Sequence, residues 1–160
     1  MVAGAAVEKS PSKPKLADHQ RRTWVTRKNI HVDRIASAWL IAHFIDKKPT
    51  FKFVPGQGYK AKKDELTFDM VEATFTHIGG RCTFEVLLDQ FDLKDPGLRV
   101  IGEIIHDIDV KDGKFVRAEA AGLGAVIAAI ALVRREDEAR LALGTALFDG
   151  LLELYRRKRG

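Results

Sequence analysis

The fold is decided by the stretch Ile35-Ala-Ser-Ala-Trp-Leu-Ile-Ala-His-Phe-Ile45. Apolar side chains recur in it at helical spacing, and Leu40, Ile41 and Phe44 extend the apolar surface nearly all the way round the helix. A helix that is apolar on every side packs into the centre of a domain. We therefore predict a central helix from about Ile35 to Ile45, with the other elements packed around it.

Three β-rich segments and four further helical segments surround this stretch. The predicted strands alternate apolar and polar residues and end at turn residues; they are Thr23–Thr26, Phe51–Val54 and Ala73–Ile78. The predicted helices run from near Thr83 to about Phe91, from near Pro96 to about Asp109, from near Glu119 to about Arg135 and from near Asp137 to about Lys158. This order predicts an α-rich α+β domain with a small sheet of about three strands.

Composition and charge narrow the class of protein. The chain has 160 residues and is 46% hydrophobic, which fits one globular domain. Its single cysteine, Cys82, excludes an intramolecular disulfide and a cysteine-rich zinc site, and a cytoplasmic location is the default expectation. The uncharged run Ala120–Val133 is too short to span a bilayer, so no membrane span is expected and we predict a buried helix there.

The basic residues are concentrated at the two ends of the chain. Residues 1–22 carry five basic and two acidic side chains, residues 156–159 are all basic, and residues 23–155 have a net charge of −2. A DNA-binding face on the body is therefore not predicted, and nucleic acid is an unlikely partner. Residues 1–22 lack apolar periodicity, so we predict a flexible tail ahead of a single domain over 23–160.

Side chains capable of chemistry lie at the predicted ends of strands and helices. They are His31, Asp33, His77, Arg81, Cys82, Glu85, His106, Asp107 and Asp109. Imidazole and carboxylate groups together suit Fe, Mn or Zn, or acid–base chemistry. Structural explanations stay open: Asp33 as a helix cap, His77 as a backbone-bonded strand residue, and residues 106–109 as a solvated helix end. Cys82 is either a buried small hydrophobe or a reactive thiol.

Taken together, these segments resemble a known family. The matching blocks are Trp24–Arg27, His31–Arg34, Ser37–Ile41, Phe44–Asp46, Phe51–Val54, Arg81–Glu85, His106–Asp109, Lys111–Phe115, Glu119–Gly122 and Ala146–Gly150. Their order from about Thr23 to Tyr155 is similar to the chromate resistance protein family, the C-terminal domain of ChrB-type proteins. The resemblance implies a bacterial stress-response protein associated with lowered chromate accumulation. Full-length relatives carry an additional N-terminal domain and are described as chromate-responsive regulators.

The resemblance places the family's motif residues on this chain, and their chemistry leads us to infer a site. They map to His31, Asp33, Arg34, Arg81, Cys82, Glu85, His106, Asp107, Asp109 and Lys111. Our first hypothesis is a metal ion held by His31, Glu85 and His106, with Asp33 or Asp109 completing the ligands. Arg34 and Arg81 would attract an oxyanion such as chromate. This hypothesis requires the three segments to converge on one pocket.

Two alternatives remain open from the sequence. One is a non-catalytic sensor or binding module in which arginines hold chromate or sulfate and a partner detects the bound state. The other, ranked last, is a DNA-binding regulator acting through the basic ends. Whether the chain is an enzyme is left undecided, and a homo-oligomer is possible.

Overall fold

The computed structural model describes residues 12–158. Its sheet consists of three parallel strands in the order β2-β1-β3: β1 (Thr23–Arg27), β2 (Thr50–Val54) and β3 (Glu65–Thr67). Trp24 of β1 pairs with Phe51 on one side and Leu66 on the other. Because the strands are parallel, the loops that leave them lie along one edge of the sheet.

The helices confirm the predicted α-rich α+β architecture. They are α1 (Val32–Leu40), α2 (Thr83–Gln90), α3 (Pro96–Asp109), α4 (Ala120–Val133) and α5 (Asp137–Arg157). The start of α3 follows from its sequence, since the Asp95 carboxylate accepts a hydrogen bond from the amide of Gly97 and Pro96 occupies the first turn. α1 continues as a π-helical turn, Ile41–Ile45, so the central helix extends over the predicted range.

The central helix packs against α2, α3 and α5. Its side chains Ile35, Trp39 and Leu40 are almost completely buried. The Trp39 ring lies against aromatic rings from two helices, Phe84 of α2 and Phe148 of α5, at centroid distances of 6.5 and 5.5 Å. The helix that is apolar nearly all round therefore holds the other helices together, as its pattern predicts.

The predicted strand at Ala73–Ile78 is wrong, and the third strand is instead β3. After β3 the backbone turns at Asp69, whose φ is +47°. The segment that follows contributes an isolated bridge between Phe68 and Phe75. Phe75 is buried against Trp24, so the apolar character of this segment fills the core without extending the ladder.

The helix α4 forms as predicted but is not buried. Leu123 and Ile127 are its buried residues, whereas Val126, Leu132 and Val133 are exposed. One side of α4 packs on α3 and α5, and the opposite side faces outward. Among residues 12–158, no helix is both long enough and apolar enough to cross a membrane.

Part of the predicted tail is described, and it contacts the body. Gln20 donates to the carbonyl of Ile45, and the backbone amides of Arg21 and Arg22 donate to the Asp46 carboxylate. Burial opposes the charge on Asp46, but the indole N–H of Trp24 and these amides hold its pKa below the ordinary value. Residues 1–11 lie outside the described part of the chain, where flexibility stays a prediction.

Gly144 sets the distance between α1 and α5. A methyl group there would lie 2.2 Å from Cγ2 of Ile35, so we expect Gly144→Ala to lower the free energy of unfolding by about 1–3 kcal/mol in urea denaturation. Gly150→Ala on the same helix is the control, because nothing lies within 4 Å of that position. The control should be neutral or stabilising by up to about 1 kcal/mol. Equal effects of the two substitutions would contradict the close helix contact.

Candidate functional site

A cluster of one imidazole and three carboxylates lies where β1 and β3 end. Asp33 is in the first turn of α1, which follows β1, and Asp69 follows β3. Asp109 is the last residue of α3. His77 lies on the irregular segment before α2 and contacts all three carboxylates. We call these four residues the acidic–imidazole cluster.

Asp33 is the buried anchor of the cluster, with 2% of its surface exposed. Its carboxylate accepts hydrogen bonds from the backbone amides of Thr83 and Phe84, at 2.9 and 3.0 Å. Those amides belong to the first turn of α2, where backbone N–H groups have no partner within the helix. The hydroxyl of Ser37 donates to the same carboxylate at 3.3 Å. The buried charge is therefore compensated and joins α1 to α2.

The Nε2 atom of His77 is the point at which the carboxylates meet. It lies 3.1 Å from Asp33, 3.2 Å from Asp109 and 3.5 Å from Asp69. The hydrogen bond to Asp33 is the main reason that the pKa of His77 rises to about 9, with the other two carboxylates contributing and burial opposing. The protonated ring thus supplies a positive charge to a group of three carboxylates.

The other two carboxyl groups of the cluster, Asp69 and Asp109, both have raised pKa values. Burial, and then the nearby charge of Asp33, raise the pKa of Asp69 to about 6, although Arg34 opposes this. Burial and Asp33 also raise the pKa of Asp109. A cation bound beside these two carboxyl groups would stabilise their ionised form.

The geometry of the cluster suits a metal ion. Within residues 12–158, one ligand atom from each of Asp33, His77 and Asp109 lies within 4.8 Å of the other two. His77 and Asp109 are partly exposed, so the cluster is open to solvent on one side. Asp69 lies beside these ligands and is held by the Thr83 hydroxyl at 2.9 Å.

His106 and Glu85, both predicted as metal ligands, belong to a different network. His106 is completely buried; its Nδ1 contacts Glu85 and its Nε2 contacts Asp112, at 2.5 and 2.9 Å. Burial disfavours the charged ring, but these two hydrogen bonds raise the pKa of His106. Glu85 also accepts from the amide of Cys82 at the start of α2. Both ring nitrogens are thus engaged in joining α2, α3 and the loop after α3.

The remaining predicted residues are distributed around these two networks. His31 is exposed at the N-cap of α1, and in the described structure it shares no hydrogen bond with Glu85 or His106. Arg81 contacts Asp89 at 3.6 Å, whereas Arg34 contacts Asp69 at 3.4 Å. The contacts therefore bring Asp33 and Asp109 together with His77 and place Glu85 and His106 in another network. His31 lines a pocket together with Asp109 but makes no hydrogen bond to it in the described structure.

Three further candidates have structural surroundings. Cys82 is buried, and burial raises the pKa of its thiol far above the ordinary value, which favours the small-hydrophobe explanation over a reactive thiol. Asp107 accepts from the backbone amides of Phe115 and Arg117 and so fixes the loop after α3. Lys111 is exposed in that loop, with a φ of +58°.

Sequence reasoning missed Asp69 altogether. The signal that could have found it is the alternation Glu65-Leu-Thr-Phe68, which indicates a short strand followed directly by a carboxylate. Polar residues at the carboxyl ends of parallel strands commonly form sites. The lysine-rich residues 60–63 ahead of this alternation instead favour an exposed loop.

These features define an α+β domain with a candidate metal site at the carboxyl edge of a parallel sheet. The family model for the C-terminal domain of ChrB matches residues 24–155. The chain therefore belongs to the chromate resistance family that its sequence resembles. Protein ChrB of Cupriavidus metallidurans is 44% identical over 128 residues, covering 79% of this chain and 37% of that relative. The chain spans little more than a third of the relative's length. No solved structure matches it.

The raised pKa of His77 predicts how stability changes with pH. The folded value of about 9 lies above the ordinary 6.5, so the protonated ring stabilises the fold fully below pH 6.5 and loses this effect as the pH rises through about 9. We expect the free energy of unfolding, measured by urea denaturation without metal, to fall between pH 6.5 and alkaline pH. The fall should be larger for the wild type than for His77→Gln. The difference is small, because the ring is 47% exposed and screened by solvent.

Two observations would contradict this expectation. One is a pair of parallel stability profiles for the wild type and His77→Gln. The other is an NMR titration of the metal-free chain in which the His77 ring changes protonation at or below its ordinary pKa of 6.5.

Proposed function

We propose that this member of the chromate resistance family binds a divalent metal ion through Asp33, His77 and Asp109. The observation that carries the proposal is the convergence of the three ligand atoms within 4.8 Å. The ligand set differs from the one expected from the sequence: Asp33 and Asp109 stay, and His77 takes the place of His31, Glu85 and His106.

The hydrogen bonds of Asp33 favour a role as a ligand. Oδ2 accepts from the amide of Thr83 and from His77, whereas Oδ1 accepts from Phe84 and Ser37. A carboxylate oxygen has two lone pairs. Oδ2 would thus keep its amide partner and have a lone pair left for a metal ion held together with His77. Such outer hydrogen bonds orient ligands in metal sites.

The donor set restricts the identity of the metal. One imidazole together with carboxylates suits Mn, Fe or Zn, and thiolate does not contribute because the only cysteine is buried and protonated. Asp69 lies 3.5 Å from Nε2 of His77 and would be the further carboxylate beside the metal. A bound metal there would supply Lewis acidity at a site that solvent can reach.

Arg34 is the arginine positioned to bring an oxyanion near this metal. It contacts Asp69 of the cluster, at 3.4 Å, and is half-buried. Arg81, the second arginine expected from the sequence, points to a different place and contacts Asp89 on α2. We therefore propose that oxyanion attraction involves Arg34, in a cytoplasmic protein of the chromate stress response.

Calorimetric titration of the metal-free chain with Mn²⁺ and Zn²⁺ tests the metal site. We expect saturable binding of one ion per chain, weakened at least about tenfold in His77→Ala and in Asp109→Asn, because each substitution removes one ligand. The matched controls are His43→Ala and Asp89→Asn, which remove the same chemical groups outside the cluster. Both controls should bind as the wild type does.

Two further variants separate this proposal from the ligand set expected from the sequence. If His106→Gln or Glu85→Gln abolishes binding in a chain whose circular dichroism is unchanged, and His77→Ala does not, the assignment to the cluster fails. Equal binding by wild type, His77→Ala and Asp109→Asn leads to the same conclusion.

A further inference from the structure

A second pocket opens at the same edge of the sheet, on the other side of the start of α1. Its volume is about 550 Å³, within the range of small-molecule sites. It lies between the carboxyl ends of β1 and β2. Its lining contains four basic side chains and no carboxylate. The lining residues are Arg27, Lys28, Asn29, His31, Arg34, Pro55, Gly56 and Gln57. We call it the basic pocket.

The Arg27 side chain is exposed and lies over Gly56. A methyl group at Gly56 would lie 2.3 Å from Cδ of Arg27, so a larger residue there would displace the arginine side chain. The φ of Gly56 is not positive, so the close approach of Arg27, and not backbone conformation, explains the glycine. Within residues 12–158, Arg27 and Lys28 make no ion pair with a carboxylate. Their charges are therefore available to a ligand.

The loop that carries these residues is fixed by α5. The Asp137 carboxylate accepts from the backbone amides of Asn29 and Ile30, at 3.0 and 2.8 Å. Buried Arg140 donates to the carbonyl of Ile30 at 3.2 Å. A loop bound at successive backbone groups loses little conformational freedom when a ligand binds, which favours affinity.

The field in the pocket is positive. Arg27, Lys28 and Arg34 line it, and no carboxylate does. His31 makes no hydrogen bond through its ring in the described structure, so both ring nitrogens stay free to contact a ligand. An anion in the pocket would offset the repulsion among these basic groups.

We infer that the basic pocket binds a tetrahedral dianion, either a free oxyanion such as sulfate or the phosphate group of a small molecule. Arg27 and Arg34 supply charged donors that match the oxygens of such a group, and Lys28 adds a further charge. The volume leaves room for the rest of a phosphorylated molecule beside the anion. The inference deepens the oxyanion part of the proposed function and does not depend on the metal site.

Calorimetric titration with sodium sulfate, inorganic phosphate and adenosine monophosphate tests the inference at constant ionic strength. We expect saturable binding, weakened at least about tenfold in Arg27→Gln. Arg81→Gln is the matched control, because it removes the same charge outside the pocket and should leave binding unchanged. A second variant, Gly56→Val, keeps every charge but displaces Arg27, and it should weaken binding as well.

The outcomes distinguish a free oxyanion from a phosphorylated small molecule, and the anion site from the metal site. Tighter binding of adenosine monophosphate than of phosphate identifies a phosphorylated small molecule, and equal or weaker binding identifies a free oxyanion. No saturable binding of any probe, or equal losses in Arg27→Gln and Arg81→Gln, overturns the inference. Arg27→Gln should still bind Mn²⁺ as the wild type does, so failure of the anion site is distinguishable from failure of the metal site.

Discussion

The structure depends on one buried carboxylate, that of Asp33. It lies in the first turn of the central helix and accepts hydrogen bonds from the first amides of α2, so it fixes the second helix against the first. A buried carboxylate is costly unless its oxygens are fully hydrogen-bonded. Asp33 meets that requirement with two backbone amides, a hydroxyl and an imidazole. The imidazole belongs to His77, so the group that stabilises the fold also orients the candidate site.

This arrangement explains why both candidate sites lie at one edge of the sheet. The strand order β2-β1-β3 places β1 in the middle, and the chain leaves it directly into α1. The acidic–imidazole cluster lies on the β3 side of that junction and the basic pocket on the β2 side. Arg34 lines the basic pocket and also contacts Asp69 of the cluster. Opposite charges are thus separated across one helix start, which would allow a cation and an anion to bind close together.

The sequence was sufficient for the elements whose own pattern determines them. The central helix follows from its apolar surface, and the start of α3 follows from Asp95 and Pro96. The third strand has a weaker signal, because the alternation Glu65-Leu-Thr-Phe68 is short and lysines precede it. The apolar run of α4 correctly predicts a helix. Its burial depends on which elements pack beside it, and the sequence of the run itself carries no information about them.

The sequence predicts the kind of candidate site, but not which residues form it. The residue types and their placement at element ends indicated an imidazole–carboxylate site, and Asp33 and Asp109 do lie together. From the sequence His106 is the stronger ligand candidate and His77 the weaker, yet burial between Glu85 and Asp112 engages both nitrogens of His106. The basic pocket was hidden for a related reason. Its basic residues belong to the segment 23–155, whose net charge is negative, so the overall charge does not indicate them. They come together only because β1 and β2 lie side by side.

The central claim is that Asp33, His77 and Asp109 hold a metal ion. The most direct measurement is anomalous diffraction from crystals grown with Mn²⁺ or Zn²⁺, recorded on both sides of the absorption edge of the metal. The account predicts an anomalous peak within bonding distance of Nε2 of His77 and of the carboxylate oxygens of Asp33 and Asp109. A peak bonded to His31, Glu85 or His106 instead, or no peak near His77 in metal-grown crystals, would contradict it.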